Sequence, residues 1–125
     1  MANFRFDRRL AKKTATPIKQ ILSTANINGK YPGWYDAIAH IDLETGKRAV
    51  RTLDLWDAAG EPVFVARSAS APEGDGYILS VVYRAATNTS ELLILNAQDI
   101  AGEPAAVLKV PRCVPATAHG NFVAA

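Results

Sequence analysis

The chain has 125 residues, 49% of them hydrophobic and 21% charged, with a formal net charge of +2. That suffices for one domain of ordinary size and is too apolar for a disordered chain. The longest apolar runs, 77–83 (broken by Ser80) and 92–95, fall far short of the ~20 residues that span a bilayer, so no transmembrane segment is expected.

No secretory signal is expected either, because the N-terminal residues contain no apolar core region. The single cysteine, Cys113, cannot form an intramolecular disulfide and fits a reducing compartment, so a cytoplasmic location is expected. Charge is unevenly placed. Residues 1–30 carry seven Lys/Arg and one acid, or +6, and the remaining 95 carry seven bases and eleven acids, or −4. A basic arm of this kind could touch nucleic acid or an anionic membrane. A solvated N-terminal segment explains it more simply, and no nucleic-acid partner is expected.

In chain order, Thr16-Pro17 reads as a helix start, with Thr at the cap and Pro at the first helical position. Ile18, Ile21, Leu22 and Ala25 then share one face at helical spacing, and Asn28-Gly29 closes the segment. Tyr31-Pro32-Gly33 marks a break, which divides the chain into a basic, partly helical segment 1–33 and a β-rich unit 34–125. From there the texture is short strands: 34–42, 49–55, 62–67, 77–84, 91–95 and 105–110. Glu44-Thr45-Gly46-Lys47 is a hairpin-turn signal, 68–76 a loop rich in Gly, Pro and Asp, and 96–102 has room for a helical turn. About six short strands with regular turn signals predict an all-β domain of the sandwich, barrel or propeller kind. The segments 77–83 and 92–95 are apolar on both faces, so they need a layer above and a layer below. Six strands do not supply that, and the chain reads as part of something larger.

Two positions invite chemistry. His119 precedes Gly120 after a strand-like run, a setting in which an imidazole can ligate a metal. Glu61, in Gly60-Glu61-Pro62-Val63-Phe64-Val65, is a carboxylate entering an apolar strand, where it could hold a histidine ring in one tautomer. Taken alone, His119 reads as a surface residue and Glu61 as a turn carboxylate. The other histidine, His40, lies within a strand and reads as exposed or hydrogen-bonded.

Several runs occur together: Tyr35-Asp36-Ala37-Ile38-Ala39-His40-Ile41-Asp42-Leu43-Glu44-Thr45-Gly46, then Gly60-Glu61-Pro62-Val63-Phe64-Val65-Ala66-Arg67. Asp75-Gly76-Tyr77-Ile78-Leu79-Ser80-Val81-Val82-Tyr83 follows, and leads to Ser90-Glu91-Leu92-Leu93-Ile94-Leu95-Asn96-Ala97-Gln98-Asp99-Ile100 and to His119-Gly120-Asn121. In this order and spacing, residues 34–123 resemble the C-terminal part of the carotenoid cleavage oxygenase family, which includes lignostilbene dioxygenases and a retinoid isomerase. The resemblance implies a seven-bladed β-propeller, of which this chain would supply about one and a half blades behind the basic N-terminal segment. It further implies an axial Fe(II) held by four histidines, three of them oriented by glutamates, that uses O2 to cleave a conjugated carbon–carbon double bond of a hydrophobic polyene or stilbene. His119 matches the last of the four iron ligands, and Glu61 matches one of the orienting glutamates. His40 matches no ligand position.

The sequence departs from the family at several places, among them Cys113, where the family often has a basic or polar residue. Ala116-Thr117-Ala118 stands where bacterial relatives carry Phe-Gly-Phe before the His-Gly pair, Ala66 stands for a usual proline, and the other three histidine ligands are absent. One imidazole cannot select a metal by geometry, so the isolated chain is expected to be inactive and to bind iron poorly, if at all. The competing expectation is a non-catalytic β module that pairs with a separate chain carrying the missing blades.

Overall fold

The computed structural model describes residues 3–6, 20–27, 34–115 and 121–125, and among them every regular element is a strand. The first antiparallel sheet runs β1 (Asn3–Phe6), β2 (Gln20–Ala25), β3 (Ala37–Asp42) and β4 (Arg48–Thr52), in that order. The second contains β5 (Ala58–Ala59), β6 (Val63–Ala66), β7 (Gly76–Arg84), β8 (Thr89–Asn96) and β9 (Ala106–Val110). Its order is β5-β7-β8-β9, and β6 also pairs with β7. Since β5 and β6 pair with successive stretches of β7, they act as one interrupted edge strand. The described residues therefore make two four-stranded meanders, an open, partial propeller rather than a closed one.

Residues 20–25 correct the helical expectation. The spacing of Ile21, Leu22 and Ala25 suits a helix, yet β2 pairs along its whole length with β3, Leu22 opposite His40 and Thr24 opposite Ile38. Leu22, Ser23 and Thr24 are all buried, so neither face is turned to solvent. A strand buried on both faces loses the alternation that would have identified it, and cross-strand pairing then overrides the helical spacing. Residues 16–19, which carry the expected cap, lie outside the described residues. Through β2, the first sheet extends across the 33/34 break and joins residues on both sides of it.

The core lies between the sheets. Leu22 and Ile38 from the first meet Ile78, Val82, Leu93 and Leu95 from the second, and Ala97 and Ile100 close one end. Ile38, Ile78, Leu93 and Leu95 are fully buried, and each such side chain contributes roughly 1.5–3 kcal/mol. Arg51 fastens the sheets across this seam, donating from Nη1 to the carbonyls of Ile100 (3.1 Å) and Gly102 (2.7 Å). The helical turn expected over 96–102 is two tight turns in series, closed by Asp99 N–H to Asn96 C=O (3.0 Å) and Gly102 N–H to Asp99 C=O (3.2 Å).

The hairpin turn at 44–47 forms as expected. The Asp42 carboxylate accepts from the N–H groups of Glu44 (2.9 Å) and Thr45 (3.3 Å), and Gly46 takes the left-handed conformation, φ 73°. Strand alternation places Val63, Leu79, Val81, Leu92, Ile94 and Leu108 on the face of the second sheet turned away from the core. Val81 is 38% and Leu108 54% exposed, so this apolar face lacks a full covering layer.

Candidate functional site around Glu61

Glu61 sits in the gap between β5 and β6. Ala59 pairs with Val82 and Val63 with Leu79, so residues 60, 61 and 62 face only residues 81 and 80. Three residues against two is a β-bulge, a device that interrupts the ladder and re-aims a side chain. Gly60 is required there: its N–H donates to the Val81 carbonyl at 2.8 Å, and a Cβ would stand 2.9 Å from that same oxygen. Its own carbonyl accepts from the buried Ser80 hydroxyl at 2.9 Å. On the other side Pro62 is fully buried, and a proline confines the residue before it to extended backbone. Glu61 is thus held from both flanks, half-buried.

His119 lies outside the described residues, so the structure does not place it beside Glu61. His40 is half-buried on β3, with its Nε2 2.5 Å from Gln20 Oε1 across the strand pair. Burial pushes its imidazole below the ordinary value, opposed by the Asp42 carboxylate and the Ala97 main chain. A narrow cleft lined by Gln20, Leu22, His40, Phe64, Gly74 and Ala97 opens beside it, with room for about one water. That cleft does not admit a polyene or a stilbene. Among the described residues no three His, Cys, Asp or Glu side chains gather as a metal would require.

Sequence reasoning missed a buried ionic cluster. The Asp57 side chain, 4% exposed, accepts from Arg84 Nη1 at 2.8 Å and from the Ala85 N–H at 2.8 Å. Arg84 Nε binds Glu91 Oε2 at 2.9 Å. Burial works against the guanidinium charge, but the bonds to Asp57 and Glu91 outweigh it and hold the Arg84 pKa above its ordinary value. Trp34 caps the same loop, donating from Nε1 to the Asp57 carbonyl (3.1 Å) and meeting Tyr83 edge-on at 6.3 Å. Through these bonds the cluster ties the β4–β5 loop to the β7–β8 hairpin.

The arrangement matches known proteins. The family model described as retinal pigment epithelial membrane protein matches residues 14–124. The chain is 41% identical over 86 residues to the apocarotenoid-15,15'-oxygenase of Synechocystis sp., covering 69% of this chain and 18% of that protein. It is 49% identical over 75 residues to the isoeugenol monooxygenase of Pseudomonas nitroreducens, covering 56% of this chain and 16% of the other. Among solved structures, a variant of the Synechocystis apocarotenoid oxygenase superposes with a TM-score of 0.75 at 35% identity, over 82% of this chain and 22% of that one. The lignostilbene dioxygenase of Pseudomonas brassicacearum superposes with a TM-score of 0.77 at 27% identity, over 84% and 24%. The chain spans less than a fifth of the length of these curated relatives. On the match over 14–124 and the shared fold, the chain belongs to the retinal pigment epithelial membrane protein family, whose members here include carotenoid- and stilbene-cleaving oxygenases.

Proposed function

We propose that this chain is the C-terminal part of a non-haem Fe(II) oxygenase that cleaves conjugated carbon–carbon double bonds of carotenoids, apocarotenoids or stilbenes with O2, and that the chain alone is inactive. Family membership supports the reaction class, and the bulge that holds Glu61 is the observation that carries the assignment to this part of the fold. In the complete enzyme His119 would ligate iron, and Glu61 would accept a hydrogen bond from a ligating imidazole, holding its tautomer and orientation. The residues described here do not fit an iron site by themselves. They bring no three ligands together, and His40 is engaged with Gln20. The test is to load the purified chain with Fe(II) under anaerobic conditions, admit O2, and follow cleavage of a stilbene and an apocarotenoid by chromatography. No products are expected, and turnover by the chain alone would overturn the reading.

A second reading is a non-catalytic β module that pairs with another chain supplying further blades. The exposed apolar face bearing Val81 and Leu108 favours it. Size-exclusion chromatography with light scattering, together with affinity capture, tests it; a clean monomer that captures no protein counts against it.

A further inference from the structure

We propose that Ser80 is a positioning residue for Glu61, acting through the carbonyl of Gly60; this rests on the reading of Glu61 as the carboxylate that orients a histidine. Ser80 breaks an otherwise apolar run on β7, and its neighbours on the same face, Ile78 and Val82, are fully buried core residues. A hydroxyl in that setting costs free energy unless it is bonded. Packing alone would favour an apolar side chain there.

The hydroxyl has a specific task. The bulge removes residues 60–62 from the regular ladder, so their main-chain groups need other partners. The Gly60 N–H is satisfied by Val81 C=O at 2.8 Å, and the Gly60 C=O by Ser80 Oγ at 2.9 Å. Both peptide groups flanking Gly60 are therefore anchored to β7, the second of them being the Gly60–Glu61 peptide. Pro62, fully buried, restricts Glu61 from the other side. Removing the Ser80 hydroxyl takes away the side-chain bond that anchors the Gly60–Glu61 peptide plane to β7, while the strands on either side stay paired. A carboxylate that must meet an imidazole within a few tenths of an ångström depends on that plane.

The experiment uses the whole chain, labelled with 13C and 15N. Three-bond couplings to Glu61 Cγ report whether its χ1 rotamer is single or averaged. A single rotamer is expected in the parent chain, averaging in Ser80→Ala, and restoration in Ser80→Thr, which keeps the hydroxyl. Ser80→Cys, closer in shape but a weak donor, is expected to average as well, and serves if the alanine variant does not fold. Unchanged Glu61 couplings in a folded Ser80→Ala or Ser80→Cys, or no rescue by threonine, overturn the proposal. The role of Glu61 itself is read separately, from the 15N shifts of His119 in Glu61→Gln. If those do not move, the orienting role falls while the Ser80 measurement still stands.

Discussion

Arg84 holds Asp57 through Nη1 at 2.8 Å, across 27 residues of sequence, and both side chains are largely removed from water. The pair costs desolvation on both sides, so its worth lies in what happens when one member is lost. In Asp57→Ala the guanidinium keeps Glu91 but loses its Asp57 partner, and the Ala85 N–H loses its acceptor. Urea unfolding is expected to show a loss of about 2–4 kcal/mol. In Asp57→Ala/Arg84→Met/Glu91→Gln part of that loss is expected to return, because no buried charge is left without its partner. A triple variant no more stable than Asp57→Ala would show that the charge cluster is not the cause.

This cluster also shows where the sequence was opaque. Residues 77–84 and 91–95 were legible as strands because short, strongly apolar runs flanked by turn residues have few other solutions. Pro62 read as a strand start and Glu61 as a turn carboxylate. That residues 60–62 form a bulge was not legible, since that depends on which residues of β7 stand opposite. The pairing of Asp57 with Arg84 depends on the packing of a loop against a distant hairpin, which no local pattern encodes. β2 was misread for a different reason: Ile21, Leu22 and Ala25 satisfy the helical period, and burial of both faces leaves no polar alternation to contradict it. The two-residue β5 is too short to carry any period.

Thr24 offers a gain in stability. Its side-chain oxygen is buried on β2 and has no hydrogen-bond partner among the described residues. Valine has nearly the same shape and brings no hydroxyl to desolvate. Thr24→Val is expected to stabilise the chain by about 1 kcal/mol, read as a rise in the urea midpoint at unchanged slope. A loss of stability would mean that the hydroxyl has a partner.

His40 sets a pH dependence. Burial holds its folded pKa below the ordinary 6.5. The unfolded chain therefore takes up the proton first as pH falls. The stability linked to this group is complete above pH 6.5 and is lost as pH drops through the lower, folded value. Carboxylates lose stability in acid too, so the informative quantity is a difference. Urea midpoints of the parent and of His40→Gln, compared between about pH 7.5 and pH 5, are expected to diverge, the parent losing more. Parallel curves would show that the imidazole is not desolvated.

Two glycines separate conformational from steric cost. At Gly46, φ is 73° and an added Cβ would meet nothing within 4 Å, so Gly46→Ala pays only for the left-handed backbone, about 1 kcal/mol. Asparagine tolerates that region, and Gly46→Asn is expected to cost less than Gly46→Ala. At Gly60 no positive φ is involved; the obstacle is the Val81 carbonyl, 2.9 Å from where Cβ would stand. Backbone cannot yield as a flexible side chain does, so Gly60→Ala is expected to cost about 1–3 kcal/mol, with Gly60→Asn no better than Ala. Chemical denaturation of the four variants gives the comparison. If asparagine relieved the cost at position 60, the close approach of Gly60 to β7 would not be what holds the Glu61 bulge in place.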